Sequence, residues 1–177
     1  MTRILAVIIM TVIFESCKTT ATSMLIADSY DKKTDATTLM LFPFGNIIIP
    51  GKWTKTEFNS SSKQHFFRDE DSTTIAVSKN PQNKYPFYTK DMTDKEFTVR
   101  YYEWESTYYS QKGLKSLILA DSIDNGNFIV WKIEGDSVNT ILLYAGKDKF
   151  AYGFSFITDK VADQRRVDFL TKLFKDN

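Results

Sequence analysis

The chain has 177 residues but only one cysteine and one histidine, two residue types on which many functional sites depend. A single cysteine excludes an intramolecular disulfide, and with one histidine it is too few for a Cys/His zinc site. A Ser-His-Asp mechanism would have to use His65, and the neighbouring sequence supplies neither a positioned serine nor an orienting acid. We therefore predict no catalytic residue, no metal site and no cofactor, and we expect His65 to be a half-exposed histidine of a strand.

An excess of charge of either sign is also lacking. Lysine and arginine total 23, aspartate and glutamate total 22, and the formal net charge is +1. Nucleic-acid-binding domains usually carry a basic excess, so we predict no nucleic-acid partner. Apolar residues make up 42% of the chain and charged residues 25%, which is typical of a folded domain.

One long apolar run without charge stands at the N-terminus, from Ile4 to Phe14. A helix of this length would rise about 16 Å, which is too short for a bilayer core of ~30 Å but typical of a signal peptide. The run and the Ser16-Cys17-Lys18 sequence that follows it resemble a bacterial lipoprotein signal of the Bacteroidota type. The resemblance implies cleavage before Cys17 and a lipid on its sulfur. A secretory signal that leaves a free cysteine, and an uncleaved anchor, are the alternatives.

This resemblance divides the chain into a signal peptide over 1–16, a lipidated tether over 17–38 and a single domain over 39–177. The tether is predicted because the segment is rich in threonine, serine, aspartate and lysine. Its short apolar patch, Met24–Ala27, could instead be an added edge strand. We expect the protein to be held at a membrane of the bacterial cell envelope, the outer membrane, through a lipid on Cys17.

Alternating apolar patterns and turn signals predict strands on both sides of a central helix. Thr93 and Glu96 have the spacing of a capping box at the start of this helix, and Gly113 follows its end. The order of elements predicts an α+β fold, in which an antiparallel sheet of about six to seven strands is covered by the central helix and a C-terminal helix. The predicted elements are strands over 55–59, 63–68 and 73–79, the helix over 93–112, a four-strand meander over 114–123, 127–134, 138–145 and 150–158, and a helix from residue 159.

The last predicted strand carries aromatic residues at every second position. A period of two places them on one face of the sheet, and we expect this face to be buried together with Trp131 of the meander. The aromatic residues of the row are Phe150, Tyr152, Phe154 and Phe156.

The turn Ile49-Pro50-Gly51-Lys52-Trp53, followed by this order of elements, resembles the PsbP-like family. The resemblance extends over about residues 44–175. Because that family is mostly non-catalytic, the resemblance implies binding or scaffolding rather than a reaction.

The central helix carries two rows of aromatic side chains. At about 100° per residue the first row forms one narrow stripe, and this pattern predicts that Trp104 and its neighbours face the core. A second row, Tyr102 and Tyr109, lies roughly 100° away and cannot share that contact. The members of the first row are Phe97, Tyr101, Trp104 and Tyr108.

The second row has two possible roles. The aromatic loop that carries Tyr85, Phe87 and Tyr88 could cover Tyr102 and Tyr109, or all five side chains could form a partly exposed surface for a partner. We take these five residues as the candidate binding surface.

The function that these observations favour is non-enzymatic binding or scaffolding of a partner protein by a lipid-anchored domain. The alternative is a carrier or sensor of a small apolar ligand, held between the central helix and the sheet. A hydrolase is the least favoured class, because the sequence offers no set of acid and base residues.

Overall fold

Two antiparallel sheets and two long helices make up the protein in a computed structural model that describes residues 25–135 and 137–177. The predicted signal peptide and Cys17 lie outside the described residues. The strands are β1 (Leu25–Asp31), β2 (Ala36–Phe42), β3 (Asn46–Pro50), β4 (Thr54–Asn59), β5 (Gln64–Arg68), β6 (Thr74–Pro81), β7 (Lys115–Asp121), β8 (Phe128–Gly135), β9 (Val138–Lys147) and β10 (Phe150–Phe156). The helices are α1 (Asp94–Gln111), the four-residue α2 (Ile123–Gly126) and α3 (Asp163–Lys175), and a short 3₁₀ helix spans Gln82–Lys84.

The larger sheet has seven strands in the order β4-β5-β6-β10-β9-β8-β7. Its strands β7 to β10 form the predicted meander, and β10 lies at the centre, paired with β6 on one side and β9 on the other. Strands β1, β2 and β3 form a separate three-stranded sheet. These pairings confirm the predicted α+β class with an antiparallel sheet of seven strands.

The start and the end of α1 are encoded locally, as the sequence predicts. The Thr93 hydroxyl accepts a hydrogen bond from the Glu96 amide at 3.2 Å, and the Thr93 amide donates to the Glu96 carboxylate at 2.9 Å. This capping box satisfies two backbone amides, those of Thr93 and Glu96, that have no hydrogen-bond partner within the helix. Gly113 follows the helix with a φ of 80°, a conformation that glycine adopts without steric cost.

One face of the seven-stranded sheet is covered by α3 and by the three-stranded sheet. Phe154 of β10 is fully buried there and packs in one cluster with Leu170 and Leu173 of α3. Tyr152 and Phe156 are buried in the same cluster, and Phe150 is partly buried against it, so the predicted burial of this aromatic row is confirmed.

The predicted tether is wrong for its second half, because residues 25–38 belong to the folded structure. β1 pairs with β2 along its whole length, from Leu25 opposite Phe42 to Asp31 opposite Ala36. The sequence of β1 looks like a linker because most of its side chains are exposed and polar, while β2 supplies the buried contacts of this hairpin. The alternative of an added edge strand is therefore the correct one for this segment.

A smaller correction concerns the turn between β7 and β8. The sequence Asp124-Asn125-Gly126, between the predicted strands over 114–123 and 127–134, is typical of a hairpin turn, but these residues lie in the short helix α2. The positive φ of the connection falls on Asn127, at 51°, rather than on Gly126. Asparagine tolerates this left-handed conformation better than most residues.

Candidate functional site

The start of α1 is fixed to the opposite face of the seven-stranded sheet by polar contacts. The Asp94 carboxylate accepts hydrogen bonds from the Gln82 side chain at 2.7 Å and from the Asp148 amide at 2.9 Å. The Thr98 hydroxyl accepts from the Gly146 amide of β9 at 2.7 Å. A Cβ at Gly146 would lie 2.6 Å from the Asp94 carbonyl oxygen, so glycine is what permits this close approach of helix and strand.

The helix is rotated on the sheet relative to the orientation that its aromatic rows predict. Phe97 and Tyr101 are buried, but Trp104 is 44% exposed and Tyr108 is 52% exposed. The prediction that Trp104 and Tyr108 face the core is therefore wrong. The helix surface that faces the sheet lies between the two aromatic rows, so that some side chains of each row are buried.

The second aromatic row packs on the sheet. The rings of Tyr102 and Tyr109 meet the buried ring of Trp131 edge-on, with centroid distances of 5.2 Å and 5.8 Å. Trp131 has no exposed surface, as predicted for this strand. Edge-to-face contacts of this kind are favoured between aromatic rings.

The aromatic loop covers the first row, not the second. The Tyr85 ring contacts those of Tyr101 and Trp104 at centroid distances of 4.9 Å and 6.1 Å. Phe87 lies 5.2 Å from Phe97 and 5.7 Å from Trp104. The expectation that this loop covers Tyr102 and Tyr109 is wrong. Because of the rotation of the helix, the second row packs on the sheet, and the loop packs on the side chains of the first row instead.

Tyrosine hydroxyl groups lie in this layer between helix and sheet. The rings of Tyr101 and Tyr144 stack at 4.1 Å with an interplanar angle of 10°, and the Tyr85 hydroxyl donates to the Tyr101 hydroxyl at 3.3 Å. A Cβ at Gly153 would lie 2.8 Å from the Tyr101 hydroxyl oxygen, so this glycine of β10 makes room for it. Burial raises the pKa of both Tyr101 and Tyr144 well above the usual value, so both hydroxyl groups are neutral at physiological pH.

A groove of about 1180 Å³ opens beside this layer, and we call it the tyrosine groove. One wall is α1, another is the loop at 81–87, and the third is the turn at 59–64 between β4 and β5. Trp104 and Tyr108 are the exposed aromatic residues of its lining. The remaining aromatic residues of the lining are Phe44, Tyr85, Phe87, Tyr101, Tyr109 and Tyr144.

Glu105 lies on the sheet-facing side of α1 and lines the tyrosine groove. Burial raises the pKa of its carboxyl group to about 7, although an interaction with the Tyr144 hydroxyl acts in the opposite direction. The ion pairs of the described residues do not include Glu105. The carboxyl group is therefore surrounded by tyrosines and lacks a cationic partner within the part of the chain that the structure describes.

Sequence reasoning missed Glu105 because a charged residue on an amphipathic helix is usually solvated. The helical wheel does contain the signal. At about 100° per residue Glu105 lies ~80° from Phe97, between the two aromatic rows and in the centre of the face that meets the sheet.

His65 is buried on the other face of the sheet rather than half-exposed. Only 2% of its surface is accessible, its ring stacks on Phe58 at 4.6 Å, and its Nδ1 atom has no hydrogen-bond partner among the described residues. Burial, together with the nearby Lys55, lowers the pKa of His65 to about 4. The imidazole is therefore neutral at physiological pH and packs as a core side chain.

The five residues of the predicted binding surface do not form one site. Tyr85, Phe87 and Tyr109 line the tyrosine groove, whereas Tyr102 packs against Trp131 away from its lining. The Tyr88 hydroxyl donates to the Lys90 carbonyl at 3.3 Å within the loop, and Tyr88 does not line the groove.

No group of three or more potential metal ligands occurs within residues 25–135 and 137–177. None of the helices in this part of the chain is long and apolar enough to span a bilayer.

No protein-family model matches the chain, and no curated protein matches it. Among solved structures, the chain is similar to one described as the solution structure of cyanobacterial PsbP (CyanoP) from Synechocystis sp. PCC 6803. The sequence identity is 17%, the TM-score is 0.42, and the similarity covers 92% of this chain and 94% of that chain. PsbP also gives its name to the family that the sequence resembles.

Proposed function

We propose that the protein is a non-catalytic binding protein of the bacterial cell envelope, anchored by a lipid on Cys17, and that the tyrosine groove engages a partner protein. The observation that carries the binding role is the exposure of Trp104 and Tyr108 in an open groove. Tryptophan and tyrosine dominate the binding energy of many interfaces, because they bury a large rigid surface when a partner covers them.

The arrangement of acids in the groove supports a non-catalytic role. Glu103 and Glu105 both line the groove, but residues two apart on a helix point to different sides. Glu103 is exposed and pairs with Arg100 at 3.2 Å. The groove therefore does not offer two buried carboxyl groups as an acid and a base for one substrate.

A small apolar ligand between α1 and the sheet is less well supported. The stacked rings of Tyr101 and Tyr144 fill one part of this layer, and the contacts of Tyr102 and Tyr109 with Trp131 fill another. A ligand in this layer would have to displace these rings, whereas a partner in the groove would meet surfaces that are already open.

The outer face of the three-stranded sheet supports attachment at a membrane. It exposes apolar side chains where the described chain begins, at Leu25 and its cross-strand neighbour Phe42, which is 64% exposed. Met40 and Ile48 extend the same exposed patch. Cys17 precedes Leu25 by eight residues, which can span at most about 29 Å. A lipid on Cys17 would therefore hold this apolar patch close to the bilayer surface, where exposed apolar side chains bind favourably.

A site-specific crosslink tests the binding role. A photoreactive phenylalanine analogue replaces Tyr108 in the groove, or Leu117, which is exposed on the edge strand β7, as the matched control. After irradiation of cells we expect one discrete protein adduct from position 108 and none from position 117. The absence of an adduct at position 108, or the same adducts at both positions, would refute the role of the groove.

The lipid anchor is tested separately from the groove. We expect labelled palmitate to be incorporated into the parent protein but not into Cys17→Ser, and we expect only the parent to fractionate with the outer membrane. Membrane residence of the parent without any label would show that Cys17 is not lipidated.

A further inference from the structure

We propose that Glu105 and the aromatic rings of the tyrosine groove form a subsite for an organic cation, the lysine or arginine side chain of the partner protein. This inference rests on the proposed binding function of the groove and adds the chemical class of the group that enters it. The geometry points to a cation because the Glu105 carboxyl group lies among aromatic side chains within reach of the open groove, while Glu103, the other acid of the lining, is already paired with Arg100.

Among the residues that the structure describes, none forms an ion pair with the Glu105 carboxylate. Tyr101 and Tyr109 lie one turn before and after it on α1, and Tyr144 faces it from β9. Tyr85 approaches from the loop. All four are phenols whose pKa is raised by burial, so they provide hydroxyl groups and ring faces but no positive charge.

A buried carboxyl group without a cation is unfavourable for folding, and a glutamine or an aliphatic residue would fill the same space at less cost. The aromatic rings around it provide the other half of a cation site. Ammonium and guanidinium groups bind over the faces of tryptophan and tyrosine rings, and this attraction increases when water is excluded. A carboxylate at the base of such a ring set adds a charge-assisted hydrogen bond.

The other charges of the groove lie nearer its rim. Arg100 is already paired with Glu103, and Lys63 and Lys84 are exposed at the turn and at the 3₁₀ helix. These two lysines favour acidic groups of the partner at the rim, while Glu105 favours a basic group at the base. A basic side chain with acidic neighbours in the partner sequence would satisfy both.

Ligand binding should depend on pH in one direction. A cation binds the ionised carboxylate, so binding should strengthen as the pH rises from 5.5 to 8.5, and the bound cation should lower the pKa of Glu105. His65 does not contribute to this change, because it lies on the opposite face of the sheet and its pKa is about 4.

The probe is n-butylammonium chloride, which reproduces the end of a lysine side chain, with n-butanol and sodium n-butyrate as neutral and anionic counterparts. Each is titrated into the purified protein at constant ionic strength, and the α1 amide signals and the Glu105 carboxyl signal are followed by NMR. We expect butylammonium to shift the signals around Glu105, and to bind about tenfold more tightly than either counterpart. Equal binding of butanol or butyrate would overturn the proposal.

Two variants locate the effect. Glu105→Gln keeps the shape of the side chain and should weaken butylammonium binding about tenfold, whereas Glu57→Gln, which replaces an exposed glutamate of β4 outside the lining of the groove, should change it less than twofold. Urea unfolding of both variants checks that they are folded. Unchanged binding by a folded Glu105→Gln variant would contradict the subsite.

The photo-crosslink at position 108 separates this inference from the proposed function on which it rests. A partner adduct that forms equally well in the Glu105→Gln background would leave the groove as the binding site and exclude the cation subsite. A partner adduct that is lost in this background, but kept with Glu57→Gln, would support both. The absence of any adduct in the parent protein would remove both.

Discussion

The two faces of the seven-stranded sheet differ in how they accommodate buried charge. Under α3, the fully buried Arg166 donates to the carbonyl and the side-chain oxygen of Asn139 at 3.0 Å and 2.8 Å, and it pairs with Asp163. Under α1, Glu105 is partly buried, and none of the ion pairs within residues 25–135 and 137–177 gives it a cation. The first face pairs the charge that it encloses, as a stable core must. The second leaves a charge unpaired beside an open groove, which is the arrangement that a binding partner can complete.

Packing shows the same contrast. The α3 face is closed by aliphatic and aromatic side chains from three layers: the large sheet, the helix and the small sheet. The α1 face contains a smaller buried cluster. The aromatic loop and the second row of tyrosines pack against this cluster and are only partly buried themselves. We therefore expect substitutions on the α3 face to reduce stability, and those in the tyrosine groove to reduce binding.

The largest expected effect is the loss of a core ring on the α3 face. Phe154→Ala should reduce the free energy of unfolding by about 3–5 kcal/mol, because the side chain is fully buried and its removal leaves a cavity. Urea unfolding measures this difference. Leu117→Ala on the exposed edge strand is the control and should change stability by no more than about 0.5 kcal/mol. A loss below about 1 kcal/mol for Phe154→Ala would contradict the burial of this face.

The next comparison removes one carboxylate from each face. Asp163→Asn leaves Arg166 buried without its charge partner and should reduce stability by about 1–3 kcal/mol, less than for a fully buried pair because Asp163 is half-exposed. Glu105→Gln removes a charge that has no ion-pair partner in the described part of the chain, so stability at pH 8 should be unchanged or increased. Thermal and urea unfolding of the two variants compare their stabilities. A larger loss of stability for Glu105→Gln than for Asp163→Asn would contradict this difference between the two faces.

The two faces should also respond to pH with opposite signs. The folded-state pKa of His65, about 4, lies below its usual 6.5, so the unfolded chain binds more protons between these values and stability falls as the pH drops through them. The folded-state pKa of Glu105, about 7, lies above its usual 4.5, so the folded chain binds more protons and stability falls as the pH rises from 4.5 to 7. Between pH 4.5 and 6.5 the two contributions oppose each other.

Two variants separate these contributions. Relative to the parent, His65→Leu should gain about 1–2 kcal/mol as the pH falls from 6.5 to 4, and Glu105→Gln should gain a similar amount as it rises from 4.5 to 7. Urea midpoints measured at half-unit pH steps give both curves. Curves with the same sign would mean that at least one of the two groups is not buried as the structure places it.

The sequence predicts features that depend on residues close together in the chain better than features that depend on contacts between distant residues. The capping box of Thr93 and Glu96 and the burial of the Phe154 row follow from spacings within one element, and both were predictable. The orientation of α1 was not, because its two aromatic rows are both apolar enough to face a sheet. That choice depends on contacts with distant residues, among them the packing of Tyr102 on Trp131 and of Tyr85 on Trp104.

The three-stranded sheet illustrates the same limit. Residues 25–31 contain Asp28, Ser29 and Asp31, which read locally as a linker. They form a strand because residues 36–42 provide a partner with buried leucines, and the hydrogen bonds of β1 are satisfied by this pairing rather than by its own side chains. Glu105 was missed for a related reason. A glutamate on a helix is expected to be exposed to solvent, and only the packing of α1 on the sheet shows that this one is partly buried.

The smallest expected effect distinguishes the two aromatic rows of α1. Trp104→Ser combined with Tyr108→Ser should change stability by no more than about 1 kcal/mol, because both rings are largely exposed. Tyr102→Ser combined with Tyr109→Ser should cost more than about 2 kcal/mol, since both rings pack on the buried Trp131. Urea unfolding compares the two double variants, and near-ultraviolet circular dichroism follows the environment of Trp131. If the Trp104 and Tyr108 pair proved the more destabilising, the helix would be oriented as its aromatic stripe alone predicts, and the tyrosine groove would be filled by its own side chains.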